Sequence, residues 1–247
     1  MLKYGSSEQE MLEFLNQAKT ELENITLSDK RIIELSDQLE LSKEKLVSLG
    51  GQLTKSRESA SLKFAKDVCD ILEYLNMPNV KFMANLQQGR YTKNGCDTLE
   101  FMISANDGES LKPLHKIASG GELSRVMLSI KSVLLDKDSV GTMIFDEIDT
   151  GISGFAAGKV ATQLKKVANN RQVICVTHLA QIAAFADEHL LIEKSTSDGH
   201  TFTNVKSLDY EQKIGEIARI MSGTEITQNL YNSAKELLDR SKQNENL

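Results

Sequence analysis

The sequence predicts an α/β domain preceded by an N-terminal coiled-coil helical arm, and three observations carry that prediction. First, Ile25, Ile32, Leu39, Leu46, Leu53 and Ala60 recur every seven residues, the spacing of a coiled-coil seam. Second, two short apolar runs, 142–145 and 172–176, flank an amphipathic stretch at 156–168. That order describes a βαβ unit with buried parallel strands. Third, the 247 residues are 40% hydrophobic and 26% charged, with two Pro and no Trp, a composition that folds and leans towards helix.

Composition also excludes classes of function. The chain carries 29 Lys and Arg against 35 Asp and Glu, a net charge of −6, so it is no simple basic nucleic-acid coat protein. A local basic patch is still compatible with that total. No long apolar run is present, so no membrane span is expected. Met1-Leu2-Lys3-Tyr4-Gly5 leads into polar residues and lacks the apolar segment of a signal peptide. Cys69, Cys96 and Cys175 are odd in number and form no CxxC pair. They point away from a disulfide framework or zinc knuckle and towards a reducing cytoplasm.

The elements follow in chain order. Residues 1–61 form the expected arm. Leu35 and Leu49 occupy the second seam position, while Ser42 and Ser56 weaken it. Leu15 and Leu22 keep the seven-residue step in another phase, so a stutter or short break is expected at 24–29. A helical hairpin packed on a globular body is the alternative, and the narrow, sustained stripe favours the coiled coil. Gly50-Gly51 is a weak spot in either case. Residues 62–247 form the second domain. A helix at 62–75 ends at Asn76-Met77-Pro78, and strands at 80–86 and 98–104 flank a polar turn region. A long amphipathic helix covers 119–135, followed by the βαβ unit. Strands at 189–193 and 202–207 enclose the turn Ser197-Asp198-Gly199, and helices at 211–221 and 225–241 close the chain.

Three segments carry chemistry. In Ala118-Ser119-Gly120-Gly121-Glu122-Leu123-Ser124, Ser119 and Glu122 have capping-box spacing, with Ser119 as N-cap. Two glycines at the helix start let a phosphate approach the backbone N–H groups at the positive end of the dipole. A capped helix without ligand is the plain alternative, and the downstream segments weigh against it. In the second segment, strand 142–145 runs into Asp146-Glu147-Ile148-Asp149 and a Gly-rich loop. A carboxylate at the strand end, Asp146, suits a hydrated Mg²⁺. Glu147 is then placed to orient or deprotonate a water attacking a γ-phosphate. In the third, strand 172–176 ends in Thr177-His178, where α/β sheets place functional groups. Cys175 sits between Ile174 and Val176 and reads as a small core residue rather than a reactive thiol.

Together these segments resemble the C-terminal lobe of an ABC-type ATPase head of the SMC class, a P-loop NTPase fold. Ser119-Gly120-Gly121-Glu122 resembles the ABC signature, with Ala118 where Leu is common. Ile144-Phe145-Asp146-Glu147 resembles Walker B, residues 149–154 the D-loop, and His178 the switch histidine. Within the class the resemblance is to a bacterial DNA-repair branch. It runs from Lys3-Tyr4-Gly5 through residues 116–125, 145–154 and 176–183 to 217–223 and 234–238. Ala180 stands where that branch often has Pro.

The sequence lacks a phosphate cradle of the form G-x-x-x-x-G-K-[ST]. Its nearest approach, Ser153 to Val160, lacks the first Gly and the final hydroxyl, so Lys159 reads as an exposed helix lysine. The resemblance implies that ATP binds a Walker A lobe lying N-terminal to this segment, with Mg²⁺ at Asp146. Glu147 would be the catalytic base and His178 the γ-phosphate sensor. Ser119, Gly120, Gly121, Glu122 and Asp149 would contact the nucleotide of a second head, in a homodimer engaged by ATP and coupled to DNA. Alone, the chain is expected to hydrolyse ATP very poorly. Its function would be double-strand break repair and recombination, in a nucleoid-associated cytoplasmic setting without membrane. DNA is implied by the resemblance, not by charge, since eight basic residues face eleven acidic ones in 1–60. A non-catalytic coiled-coil interaction fragment, or half of another SMC-class ATPase, is the alternative.

Overall fold

The structure, a computed structural model, describes residue 4 and residues 7–106, 108–197, 200–222 and 225–243. Lys3 and Gly5 of the opening motif, Asp198 and Gly199 of the expected turn, and Gly223 of the C-terminal motif lie outside the described residues.

The first element is one helix, α1, spanning Glu8–Tyr74, 67 residues. It absorbs both the arm and the expected separate helix at 62–75, and it has no break at 24–29. A phase slip moves the apolar seam around the helix without interrupting its i→i−4 hydrogen bonds. No Pro intervenes, and Thr26 Oγ1 simply bonds back to Leu22 O at 2.8 Å. The seam residues Ile25, Ile32 and Leu39 are more than half exposed, at 54%, 64% and 56%, so no helix among the described residues covers them.

The remaining elements are β1 (Lys81–Thr92), β2 (Gly95–Ser104), β3 (Lys112–Pro113), α2 (Gly120–Val133), β4 (Thr142–Phe145), α3 (Gly154–Ala168) and β5 (Gln172–Cys175). They are followed by α4 (Ala180–Ala183), β6 (Leu190–Ser197), β7 (His200–Ser207), α5 (Tyr210–Ser222) and α6 (Gln228–Gln243). β1 and β2 reach further into the turn region than the sequence suggests. Residues 87–94 are exposed throughout, so no burial alternation marks them as strand. β6 and β7 extend their predicted cores for the same reason. β3, paired antiparallel with β2 through Met102 and Pro113, and the single turn of α4 are too short to show a period.

The residues group into two compact units, 1–58 with 88–98, and 59–87 with 99–247. In the first, the hairpin tip is fastened to the arm. Asp97, its side chain 1% exposed, pairs with Arg57 at 2.7 Å and accepts Thr54 Oγ1 at 2.6 Å. Arg57 Nη2 also donates to Asn94 O at 2.6 Å. The glycine that weakens the helix has a packing reason here: a Cβ on Gly50 would stand 2.6 Å from the Tyr91 ring. Hydrogen bonds from Thr54 and then Arg57 hold the Asp97 carboxyl below its ordinary value. A depressed carboxylate stabilises the fold above the unfolded value of about 3.9 and ceases to do so as pH falls through the lower folded value. The gap in urea midpoint between the native chain and Asp97→Asn is therefore expected to be full at pH 6 and to close in strong acid. An equal gap at both extremes would contradict this coupling.

In the second unit, three apolar clusters build the body. Val68, Leu72, Val80, Phe82, Ile103, Val126 and Ile130 form one. Leu75, Leu128, Met143, Phe145, Ile148, Val160 and Leu164, with their neighbours, form the next. Ile214, Ile217, Ala218, Ala234 and Leu238 join α5 and α6 to α4. β4 and β5 pair in parallel, Thr142 opposite Gln172 through Phe145 opposite Cys175, with α3 as the crossover. This is the βαβ unit expected from the sequence.

Candidate functional site

β4 alternates, with Met143 and Phe145 in the core and Ile144 70% exposed. After Phe145 the chain leaves the strand with Asp146 and Glu147 both exposed. Val176 N–H donates to Phe145 O at 2.9 Å, so the two strands run together to the point where each delivers its polar residues.

α2 begins where the capping spacing placed it. Ser119 is the N-cap, and its hydroxyl accepts the Glu122 N–H at 3.4 Å. The first two turns of α2 then grip the loop after β4. Ser124 Oγ donates to Asp146 O at 2.7 Å. Arg125 Nη1 donates to Ile148 O at 3.2 Å and Thr150 O at 2.8 Å. Alternate carbonyls of one loop are thus held from consecutive helix residues. Gly121 is needed for the approach of the loop backbone, while at Gly120 only the flexible end of Glu147 would have to move. A Cβ on Gly121 would meet Thr150 O at 2.7 Å, and one on Gly120 would meet Glu147 Oε2 at 2.2 Å. Glu147 itself adopts a left-handed backbone, φ 56°, which aims its carboxylate at the start of α2.

Arg125 is 5% exposed, and burial lowers its pKa. Its Nε is buried without a hydrogen-bond partner. Sequence reasoning gave it no role. An arginine three residues after the capping glutamate looks like a solvated helix residue, and only the packed loop shows otherwise.

Asp149 is 3% exposed, and its Oδ2 gathers three groups. Thr177 Oγ1 donates at 2.6 Å and the His178 N–H at 2.8 Å, and His178 Nδ1 lies 3.1 Å away. The His178 side chain is otherwise 74% exposed. The structure therefore brings the α2 start, Asp146, Glu147 and His178 to one side of the second unit, and places Asp149 beneath His178 in the interior. The lysine expected to be exposed, Lys159, is half-buried, with Nζ 5.0 Å from the Phe155 ring centroid and 5.4 Å from that of Tyr74. Two aromatic faces attract its charge and cover its stem.

The Cys175 thiol is pushed up to about 12, by burial first and then by the charges of Asp149 and Asp146. In the folded chain at pH 8, Cys175 is expected to resist iodoacetamide and to react only after unfolding. Labelling of native protein at Cys175, read by peptide mass, would contradict this.

No protein-family model matches the chain. Individual proteins do. DNA repair protein RecN of Bacillus subtilis (strain 168) is 37% identical over 257 residues, covering 98% of this chain and 45% of the relative. The RecN of Treponema pallidum (strain Nichols) is 38% identical over 245 residues, covering 96% and 42%. This chain corresponds to the C-terminal half of RecN. It spans less than half the length of these RecN relatives. Among solved structures, the Smc head domain with a coiled coil and joint from Pyrococcus yayanosii superposes with a TM-score of 0.54 at 21% identity, over 87% of this chain and 39% of that one. At that identity the likeness shows the fold alone, a mixed helix-and-sheet lobe preceded by a long helix.

Proposed function

We propose that this chain is the signature and Walker B half of an ATP-driven SMC-type head acting in DNA double-strand break repair and recombination. One observation carries the reading. The glycine-rich start of α2, the Asp146-Glu147 strand end and His178 share one side of the lobe, joined through a single loop that α2 holds by Ser124 and Arg125. In this reading ATP lies on a Walker A lobe supplied by the rest of the protein. The exposed apolar face of β4–β5, with Ile144 70%, Ile174 41% and Val176 51% exposed, supports the docking of such a lobe, because parallel sheets are covered on both faces.

The residues fit a magnesium ion with an outside contribution. Among the described residues no group of three or more His, Cys, Asp or Glu could hold a metal. Asp146 gives one oxygen to the Glu147 N–H at 2.8 Å and keeps the other. One carboxylate with phosphate oxygens and water is the usual way Mg²⁺ is held, and the ion would there neutralise phosphate charge. Glu147 orients and deprotonates the water, and His178 meets the γ-phosphate. Ser119, Gly120 and Gly121 offer backbone N–H groups to the γ-phosphate of a second head. ATP thus joins two heads, and hydrolysis parts them while DNA is held nearby.

The seam along α1 would take the outgoing helix of the same arm. Among the described residues no helix is long and apolar enough to cross a membrane, and we place the protein in the cytoplasm with the nucleoid. The missing phosphate cradle favours one second reading, a coiled-coil interaction fragment without catalysis. Calorimetry with Mg-ATP separates the two. The chain alone is expected not to bind, and its complex with a Walker A half is expected to bind tightly. No binding in either sample would leave the interaction fragment, and binding by the chain alone would disprove the split site.

A further inference from the structure

We infer that Asp149 is a positioning residue for His178, fixing which ring nitrogen is free for chemistry. The inference rests on the reading of His178 as the residue that meets the γ-phosphate, and it gives Asp149 a role distinct from nucleotide contact.

The geometry points inward. At 3% exposure Asp149 is buried, and its Oδ2 receives Thr177 Oγ1 at 2.6 Å and the His178 N–H at 2.8 Å. His178 Nδ1 stands 3.1 Å from the same oxygen. A carboxylate oxygen offers only lone pairs, so a bare Nδ1 lone pair at this distance would be repelled, which favours the proton on Nδ1. The other nitrogen, Nε2, is then the one left on the 74% exposed side of the ring. In free histidine the neutral proton favours Nε2. Asp149 reverses that preference and fixes the ring direction through a backbone bond on the same residue.

The carboxylate is itself held in place. Asp149 lies between Ile148 and Thr150, whose carbonyls both accept from the buried Arg125 guanidinium. The orphaned Arg125 Nε marks a side chain placed for those two carbonyls at the expense of its own third bond. A line of direct contacts thus runs from α2 through Arg125 and the loop to Asp149 and His178.

The first test uses this chain with ¹⁵N-labelled histidine rings. Long-range ¹H–¹⁵N correlation is expected to show neutral His178 with its proton on Nδ1, and Asp149→Ala is expected to move it to Nε2. Signals of His115, His189 and His200 report whether the variant stays folded. If it does not, Asp149→Asn keeps one acceptor oxygen and is expected to retain the Nδ1 proton. A native His178 protonated on Nε2 would overturn the inference, as would a folded Asp149→Ala with an unchanged ring.

The second test uses the chain joined to its Walker A half. Asp149→Ala is expected to lower kcat on the order of 10–100-fold with KM for ATP unchanged, and to cost nothing further in a His178→Ala background. Additive losses would overturn the role. Absence of turnover in the native complex would refute the ATPase reading and leave the ring result to stand by itself.

Discussion

Glu147→Gln in the complete protein is expected to cut ATP turnover by about 10²–10³ while ATP still binds and the heads stay joined. The amide matches the carboxylate in shape, so the approach of Oε2 to Gly120 is preserved, and with it the start of α2. What is lost is the capacity to take a proton from water. Asp146 keeps its backbone bond to residue 147 and its free oxygen for the metal. In the proposed mechanism parting of the heads requires hydrolysis, so the variant is expected to accumulate as ATP-bound dimers. Single-turnover hydrolysis and light scattering read the two halves of this result. Normal single-turnover rates in the variant would remove Glu147 from the role of base.

Ser119→Arg is expected to abolish ATP-dependent pairing and leave nucleotide binding to a single head intact. Two effects act at one place. The Ser119 hydroxyl caps the Glu122 N–H, and its loss costs about 1 kcal/mol of local stability, which a packed lobe tolerates. The larger effect is steric and electrostatic. A guanidinium beside Gly120 and Gly121 fills the space a phosphate needs and competes for it at the positive end of the helix dipole. Sizing with and without Mg-ATP measures the outcome. Dimers that persist would mean that the α2 start is no part of the joint between heads.

The legibility of these features in the sequence followed physical rules. The βαβ unit was readable because Met143 and Phe145 on one strand and the apolar face of α3 carry strong local patterns. The N-cap at Ser119 was readable because its partner lies three residues away. The length of α1 was not, since a seam that changes phase looks like an interruption although the backbone bonds continue. The outer halves of β1, β6 and β7 were hidden by exposure on both faces. In the site, the residue types were visible in order along the chain, but their connections were not. Ser124 and Arg125 reach across more than twenty residues to backbone carbonyls, and a carbonyl acceptor leaves no trace in side-chain identity. Asp149 showed the same limit: its position in a motif suggested a ligand contact, and its burial against Thr177 and His178 is a tertiary fact.

The left-handed backbone of Glu147 bears on how such a protein evolves. A residue with a Cβ at φ 56° costs the fold on the order of 1 kcal/mol or more compared with glycine. Glycine at this position would relax the loop, so mutational drift in a lineage freed from turnover leads towards a sturdier but inert lobe. A glutamate in that conformation holds the loop at a cost that glycine would not carry. Genes that have abandoned catalysis while keeping the arm and the head should therefore lose this side chain early, well before any residue of the apolar clusters.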